Sequence, residues 1–468
     1  MKKGKIWFWL AALALTGLLS GCGALKDSRD RVTAPEPVVV ENGQTLEDGE
    51  GQSGGEAEPD AGEPVTGEQT GRSPVKVKGI YISAYVAGTP DVVDSLLEEL
   101  DRTEANALVI DLKDDFGRVA CAMDSPLVQE IGSSMDYIKD VEGLMKKLDE
   151  HGVYAIARIP AFRDKWLGEA RPDWCVKNAD GTVFYDRDGN AWVNPYKEEA
   201  WDYLVEIGIQ AKKLGFDEVQ FDYVRFCTES GMKNAVFDEA DVRGRSRTDI
   251  ISEFVEYAYS RLKDAGLFVS ADVFGAIIGS SVDADSVGQI YGEMAKHLDY
   301  ISPMIYPSHY GDGNYGIDHP DTKPYDTICA ALGASRKELY FAGLESDHVA
   351  KVRPWLQDFT ATWLKEHIAY GAAEVREQIQ ATYDCGYDEW LLWDAACTYD
   401  WDGLLTPDEA AAEEERIAES RALLPETTYA PETTSPAASA AAAAVSAAAE
   451  TTMGPPPETG TTLPQAAE

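Results

Sequence analysis

Between residues 75 and 406 the apolar residues follow two alternating rhythms: short runs with strand-like alternation, and longer stretches with apolar residues three and four positions apart. The short runs predict strands at residues 78–83, 107–113, 154–160, 218–226, 268–274, 300–307, 339–345 and 389–394. The longer stretches predict helices at residues 92–100, 137–151, 197–214, 249–265, 287–297 and 375–385. Eight strands separated by crossovers predict an α/β chain closed into a (β/α)8 TIM barrel rather than an open doubly wound sheet. No glycine-rich phosphate loop follows the first strand, where Gly79-Ile80-Tyr81 leads only to Ala87-Gly88-Thr89-Pro90, so no dinucleotide or other cofactor is expected.

The flanks follow neither rhythm. Residues 1–22 carry Lys2, Lys3 and Lys5, then an apolar run from Ile6 to Leu19, the order of an export signal and shorter than the roughly 20 apolar residues of a membrane span. The run ends Leu19-Ser20-Gly21-Cys22, which resembles the bacterial lipobox; the resemblance implies lipidation of Cys22 and anchoring on the extracellular face of the cell membrane. Residues 23–74 are rich in Gly, Glu, Pro, Asp and Gln and contain no aromatic residue. They bury too little apolar surface to offset the entropy of ordering, and a disordered acidic linker is expected. Residues 407–468 open with an acidic helical stretch and continue as an Ala/Thr/Pro-rich tail, also expected to be disordered.

The formal net charge of −41 argues against nucleic acid and anionic lipid surfaces as partners, since both repel it. With Cys22 assigned to the lipid, Cys121, Cys175, Cys227, Cys329, Cys385 and Cys397 are scattered, with no CxxC or Cys/His spacing, and no metal site is expected.

In a barrel of this kind chemistry gathers at the C-terminal ends of the strands. The second run ends at Asp111 and Lys113, the third carries Arg158, the fourth has Asp222 followed by Tyr223 and Arg225, and the fifth has Asp272. Tyr306 and His309 follow the sixth run, Glu345 ends the seventh, and Trp393 and Asp394 end the eighth. Alternation places Asp222 with Gln220 and Val224 on one face, opposite Phe221, Tyr223 and Arg225. An Asp in an otherwise apolar and aromatic strand is costly to bury without a partner or a use. Asp111, Lys113 and Arg158 also suit an ion-pair network at the mouth, and the aromatic residues also suit packing. Two carboxylates at strand ends between aromatic walls are what glycoside hydrolysis needs, one to protonate the leaving oxygen and one to act as nucleophile or base.

Three segments carry a family resemblance: Gly215-Phe216-Asp217-Glu218-Val219-Gln220-Phe221-Asp222-Tyr223-Val224-Arg225-Phe226, Asp272-Val273-Phe274-Gly275, and Tyr300-Ile301-Ser302-Pro303-Met304-Ile305-Tyr306. In this order they resemble the bacterial putative glycoside hydrolase domain family, distant relatives of the α-amylase-type barrels. The likeness extends over residues 77–401 and includes Val109-Ile110-Asp111, Ala157-Arg158-Ile159 and Arg353-Pro354-Trp355-Leu356-Gln357. The chain departs from the family's pattern at Cys227, where Pro is usual, at Asn194, where Asp is usual, and at Asp394, where Asn is usual.

The expectation is an extracellular, lipid-anchored glycoside hydrolase with Asp222 as nucleophile or base and Asp272 as the favoured partner carboxylate. Glu345 and Asp394 are the alternative partners. Asp111, Lys113, Arg158, Tyr223, Arg225, Tyr306, His309, Glu345, Trp393 and Asp394 are expected to contact a poly- or oligosaccharide. The alternative is a non-catalytic barrel that binds glycans or serves as an envelope component.

Overall fold

The computed structural model describes residues 74–423. The export signal, the lipobox at Cys22, nearly all of the linker, and the tail beyond residue 423 lie outside the described residues. Eight parallel strands close a barrel: β1 (Lys78–Ile82), β2 (Ala107–Asp111), β3 (Tyr154–Pro160), β4 (Glu218–Asp222), β5 (Phe268–Phe274), β6 (Tyr300–Met304), β7 (Lys351–Val352 continuing as Trp355–Gln357) and β8 (Trp390–Trp393). Each pairs with the next, and Leu391 of β8 stands opposite Gly79 of β1, so the sheet closes on itself without an edge. The fold is the expected (β/α)8 barrel.

Around it lie α1 (Pro90–Arg102), α2 (Val141–Glu150), α3 (Glu198–Leu214), α4 (Arg247–Asp264), α5 (Ser281–Val287), α6 (Tyr291–Ala295), α7 (Pro324–Gly343), α8 (Ala372–Asp384) and α9 (Pro407–Leu423). Local chemistry sets their ends. Pro90 opens α1 where its missing N–H costs nothing, a Ser246–Asp249 capping box opens α4, and Gly215 at φ 107 closes α3. Inside α3, Gly208 lets α4 approach closely, since a Cβ there would lie 2.7 Å from Leu262 Cδ2.

Outward strand residues such as Ile80, Leu108, Val219, Phe221, Val269 and Leu392 pack with the helices in one continuous core. The barrel interior holds a second, aromatic cluster that includes Tyr81, Tyr154, Phe268, Tyr300 and Trp355. Within it the buried Arg353 donates to Glu218 and to Glu389, both at 2.9 Å. Tyr154 and Ser270 also donate to Glu218. Deleting one member of such a buried network strands the others' charge, whereas replacing the whole network by apolar residues need not destabilise.

Two expectations are corrected here. Residues 339–345, expected to be the seventh strand, form the end of α7 and the turn after it. Tyr340, Phe341 and Leu344 are apolar yet exposed, so the run looks strand-like without facing a core. The true seventh strand is interrupted at Pro354, which has no N–H for the ladder, and its two short halves give little alternation. The single helix expected at 287–297 is split, because Gly288 at φ 84 ends α5 before α6 begins. α9 lies on the barrel beside Lys78, the first residue of β1: Glu414 pairs with Lys78 at 3.2 Å, and Ala410 and Ile417 are buried.

Candidate active site

Strand register assembles the mouth. Asp111 stands opposite Arg158, Pro160 opposite Asp222, and Asp272 opposite Ser302. The pairing of Phe221 with Ala271 sets Asp222 and Asp272 side by side on neighbouring strands, about 4.8 Å apart at the backbone.

Arg158, 2% exposed, is the hub of the site. Its Nη1 donates to Asp111 at 2.6 Å, and Nη2 donates to Asp115 at 2.8 Å. Nη2 and Nε both donate to Asp222 Oδ2, at 2.6 and 3.2 Å. The other Asp222 oxygen accepts the Tyr223 N–H at 2.6 Å, and Tyr81 donates its hydroxyl to Asp111 at 2.6 Å. Tyr223 has φ 51, a left-handed conformation costly for a residue with a Cβ, so β4 ends in strain beside its key carboxylate.

Asp272 has a different environment. It is almost fully buried and accepts the Trp355 indole N–H at 2.6 Å. Burial, followed by the charge on Asp222, pushes its carboxyl well above the usual carboxylate range, against the pull of the Trp355 hydrogen bond. Asp272 therefore holds its proton more firmly than an exposed carboxyl does. Burial, followed by the neighbouring Asp272 and Asp222, also raises the Tyr306 hydroxyl, which places that ring close to both acids. Burial, with Asp115 adding to it, pushes Asp111 up to about 7 against the opposing Arg158 and Tyr81. In spite of burial, Arg158 and Arg163 hold Asp115 below its ordinary range.

Aromatic rings wall the mouth. Tyr81 stacks on Trp393 at 4.2 Å, and Trp355 meets Trp393 edge-on at 5.7 Å. Tyr306 packs against His309 at 5.0 Å and against Phe359 at 5.8 Å, and Phe359 stacks with the exposed Trp363. Trp192, Tyr223 and Phe274 surround the Arg225 guanidinium at 5.0, 5.1 and 4.4 Å.

Asp111, Arg158, Asp222, Tyr223, Arg225, Asp272, Tyr306, His309 and Trp393 thus come together at one end of the barrel. Three expected residues do not join them. Glu345 follows α7, is exposed, and pairs with Lys296 at 2.6 Å; the strand meant to deliver it to the mouth is a helix. Lys113 is fully buried, pairs with Asp164 at 2.9 Å and donates to the Pro160 carbonyl. β2 ends at Asp111, so the alternation that set Lys113 beside it stops. Asp394 is half-buried and accepts the Thr398 N–H at 2.9 Å, capping its own turn. Sequence reasoning missed Tyr81, Asp115, Arg163, Trp355, Phe359 and Trp363. Tyr81 and Trp355 carried a signal, each being an aromatic residue inside a strand of a polar-mouthed barrel. Among the described residues no group of three or more His, Cys, Asp or Glu side chains is arranged to hold a metal ion.

The family described as "putative glycosyl hydrolase domain" matches residues 79–399, and the chain belongs to it. A hypothetical protein from Ruminiclostridium thermocellum is 34% identical, with 42% of this chain and 97% of that one covered at a TM-score of 0.38. The PgaB glycoside hydrolase domain from Bordetella bronchiseptica is 12% identical, with 76% and 100% covered at 0.46. An α-galactosidase from Thermus thermophilus, solved with stachyose, is 14% identical, with 74% and 66% covered at 0.43. No curated protein matches the chain.

Proposed function

We propose that the protein is a glycoside hydrolase that cleaves a poly- or oligosaccharide, with Asp272 as general acid and Asp222 as nucleophile or base. The observation that carries this reading is the division of labour between two adjacent carboxyls. Asp222 is gripped by Arg158 and by a backbone N–H, while Asp272 is sealed beside it and pushed upward by burial and by that charge. A buried carboxyl raised in this way beside a second carboxyl bound by a guanidinium suits a division into acid and base. In the reaction Asp272 gives its proton to the leaving glycosidic oxygen as the bond to the anomeric carbon breaks. Asp222 either attacks that carbon or takes a proton from the attacking water. Tyr81, Trp393 and Tyr306 supply faces on which sugar rings pack, and membership of the glycosyl hydrolase family supports the substrate class.

The order of Lys2, Lys3, Lys5, apolar run and Leu19-Ser20-Gly21-Cys22 supports action outside the cytoplasm by a protein tethered through a lipid on Cys22. The test is a digest of cell-wall and storage polysaccharides with wild type and Asp222→Asn. Release of reducing sugar by wild type alone is expected. Binding of several glycans with no cleavage by either protein would replace hydrolysis with adhesion.

A further inference from the structure

We infer that the site takes a glycan bearing a carboxylate, and that Arg225 is the residue that selects it; this rests on the glycan-directed reading above. The cations at the mouth are not equivalent. Arg158 is neutralised by Asp111, Asp115 and Asp222. Arg163 pairs with Asp186 at 3.0 Å and Asp188 at 3.2 Å, with Asp115 at 3.8 Å. Arg225 is only 9% exposed, yet among the described residues no carboxylate lies within ion-pairing distance of it, and Asp222 acts on it only through its longer-range charge. Among the described residues its hydrogen bond goes from Nη1 to the Phe226 carbonyl at 3.0 Å.

A guanidinium presents five N–H donors and stays charged in proteins. Burying it without a counter-charge costs free energy that a structural role would normally avoid. The surroundings offer partial compensation, since the rings of Trp192, Tyr223 and Phe274 face the cation. They also fix its place. Trp192 comes from the loop after β3, Tyr223 follows Asp222 directly, and Phe274 is the last residue of β5, two positions beyond Asp272. Arg225 therefore stands on the same corner as the acid pair, three residues beyond Asp222.

A sugar carboxylate is the partner this geometry lacks. It is planar, matches the guanidinium fork with two parallel hydrogen bonds, and sits on a pyranose ring whose apolar face suits the aromatic wall. Hexuronic acids and lactyl-substituted amino sugars of the muramic type both present that group, and neutral hexoses do not. The acidity of the whole chain does not oppose this. At the mouth the other guanidiniums are already matched by Asp side chains, so an incoming carboxylate meets the one that is not.

The experiment measures dissociation constants for hexuronate and N-acetylmuramate-containing oligosaccharides and for neutral oligosaccharides of equal length. The full chain is used as wild type, Arg225→Lys and Arg225→Gln. Wild type is expected to bind at least one acidic series ten-fold or more tightly than the neutral ones, with affinity falling as salt rises. Arg225→Gln should erase the preference, and Arg225→Lys should keep part of it. Equal wild-type affinity for acidic and neutral glycans overturns the inference, as does a preference that survives Arg225→Gln. If Arg225→Gln fails to fold, the wild-type preference and the Arg225→Lys value still decide. Selective binding without turnover would defeat hydrolysis and spare this inference, whereas cleavage of neutral glycans with no acidic preference would do the reverse.

Discussion

Arg158→Met is the substitution that most searches the mouth. The methionine keeps much of the side-chain volume but removes the only cation among the described residues that pairs with Asp111 and Asp222, which are 4% and 9% exposed. Breaking a buried pair from one side costs about 3–5 kcal/mol, because the carboxylates are left desolvated without a partner. Asp115, a third exposed at its side chain and also near Arg163, adds little to that figure.

The pH dependence follows from Asp111 and Asp115, the two carboxyls paired with Arg158 whose shifts are resolved. Asp111 is already raised to about 7, so its contribution weakens stability as pH climbs from the unfolded value near 4 toward 7. Without Arg158 it rises further, and the weakening deepens above neutrality. Asp115 is depressed, so its stabilisation is present above the unfolded pKa and lost as pH falls through the folded value. The variant forfeits that stabilisation only where wild type has it. Urea denaturation at about pH 7.5 and about pH 5 should therefore show a large gap between wild type and variant at the higher pH and a smaller gap at the lower. A gap below about 1 kcal/mol at the higher pH, the size of an exposed pair, would refute the reasoning. So would a gap that widens on acidification.

Three further outcomes are expected. Ending the chain before Pro407 should lower the thermal midpoint by several degrees, because the buried Ile417 and Ala410 of α9 contribute about 2–3 kcal/mol; an unchanged melting curve would show that α9 is dispensable. Cys329 in α7 and Cys385 after α8 have sulfurs 2.9 Å apart and lie 56 residues apart in sequence. A disulfide-exchange oxidant should take two electrons and two protons from them, and closing that loop should add about 4 kcal/mol of stability. Peptide mapping that finds both thiols still alkylatable after oxidation would contradict it. Glu345→Gln should leave activity unchanged, since the side chain is exposed and pairs with Lys296 away from the mouth; a fall in kcat/KM would return Glu345 to the site.

The barrel was legible because strand periodicity survives burial on both faces: Tyr154–Pro160 and Phe268–Phe274 have the bounds that their alternation predicts. The pair of acids was legible for a related reason, since an Asp within an apolar strand has few inexpensive explanations. β7 was not legible, because Pro354 cuts it into pieces too short to show a period, while the exposed Tyr340, Phe341 and Leu344 imitated one nearby. Beyond a strand's last residue alternation loses its meaning. That is why Lys113 and Asp394 turned to local partners, and why Tyr223, with φ 51, could swing toward Arg163 and Asp115. Contacts across the barrel, such as Trp355 to Asp272, depend on closure and leave no local trace in the sequence.

The central claim is that Asp272 donates the proton and Asp222 does the work at the anomeric carbon. It is tested most directly by comparing kcat/KM for the natural glycan and for the corresponding dinitrophenyl glycoside, whose leaving group needs no proton. Asp272→Asn is predicted to lose about 10²–10⁴-fold on the natural glycan and little on the activated one, while Asp222→Asn loses turnover on both. Equal losses on the two substrates for Asp272→Asn, or wild-type rates for Asp222→Asn, would contradict the account.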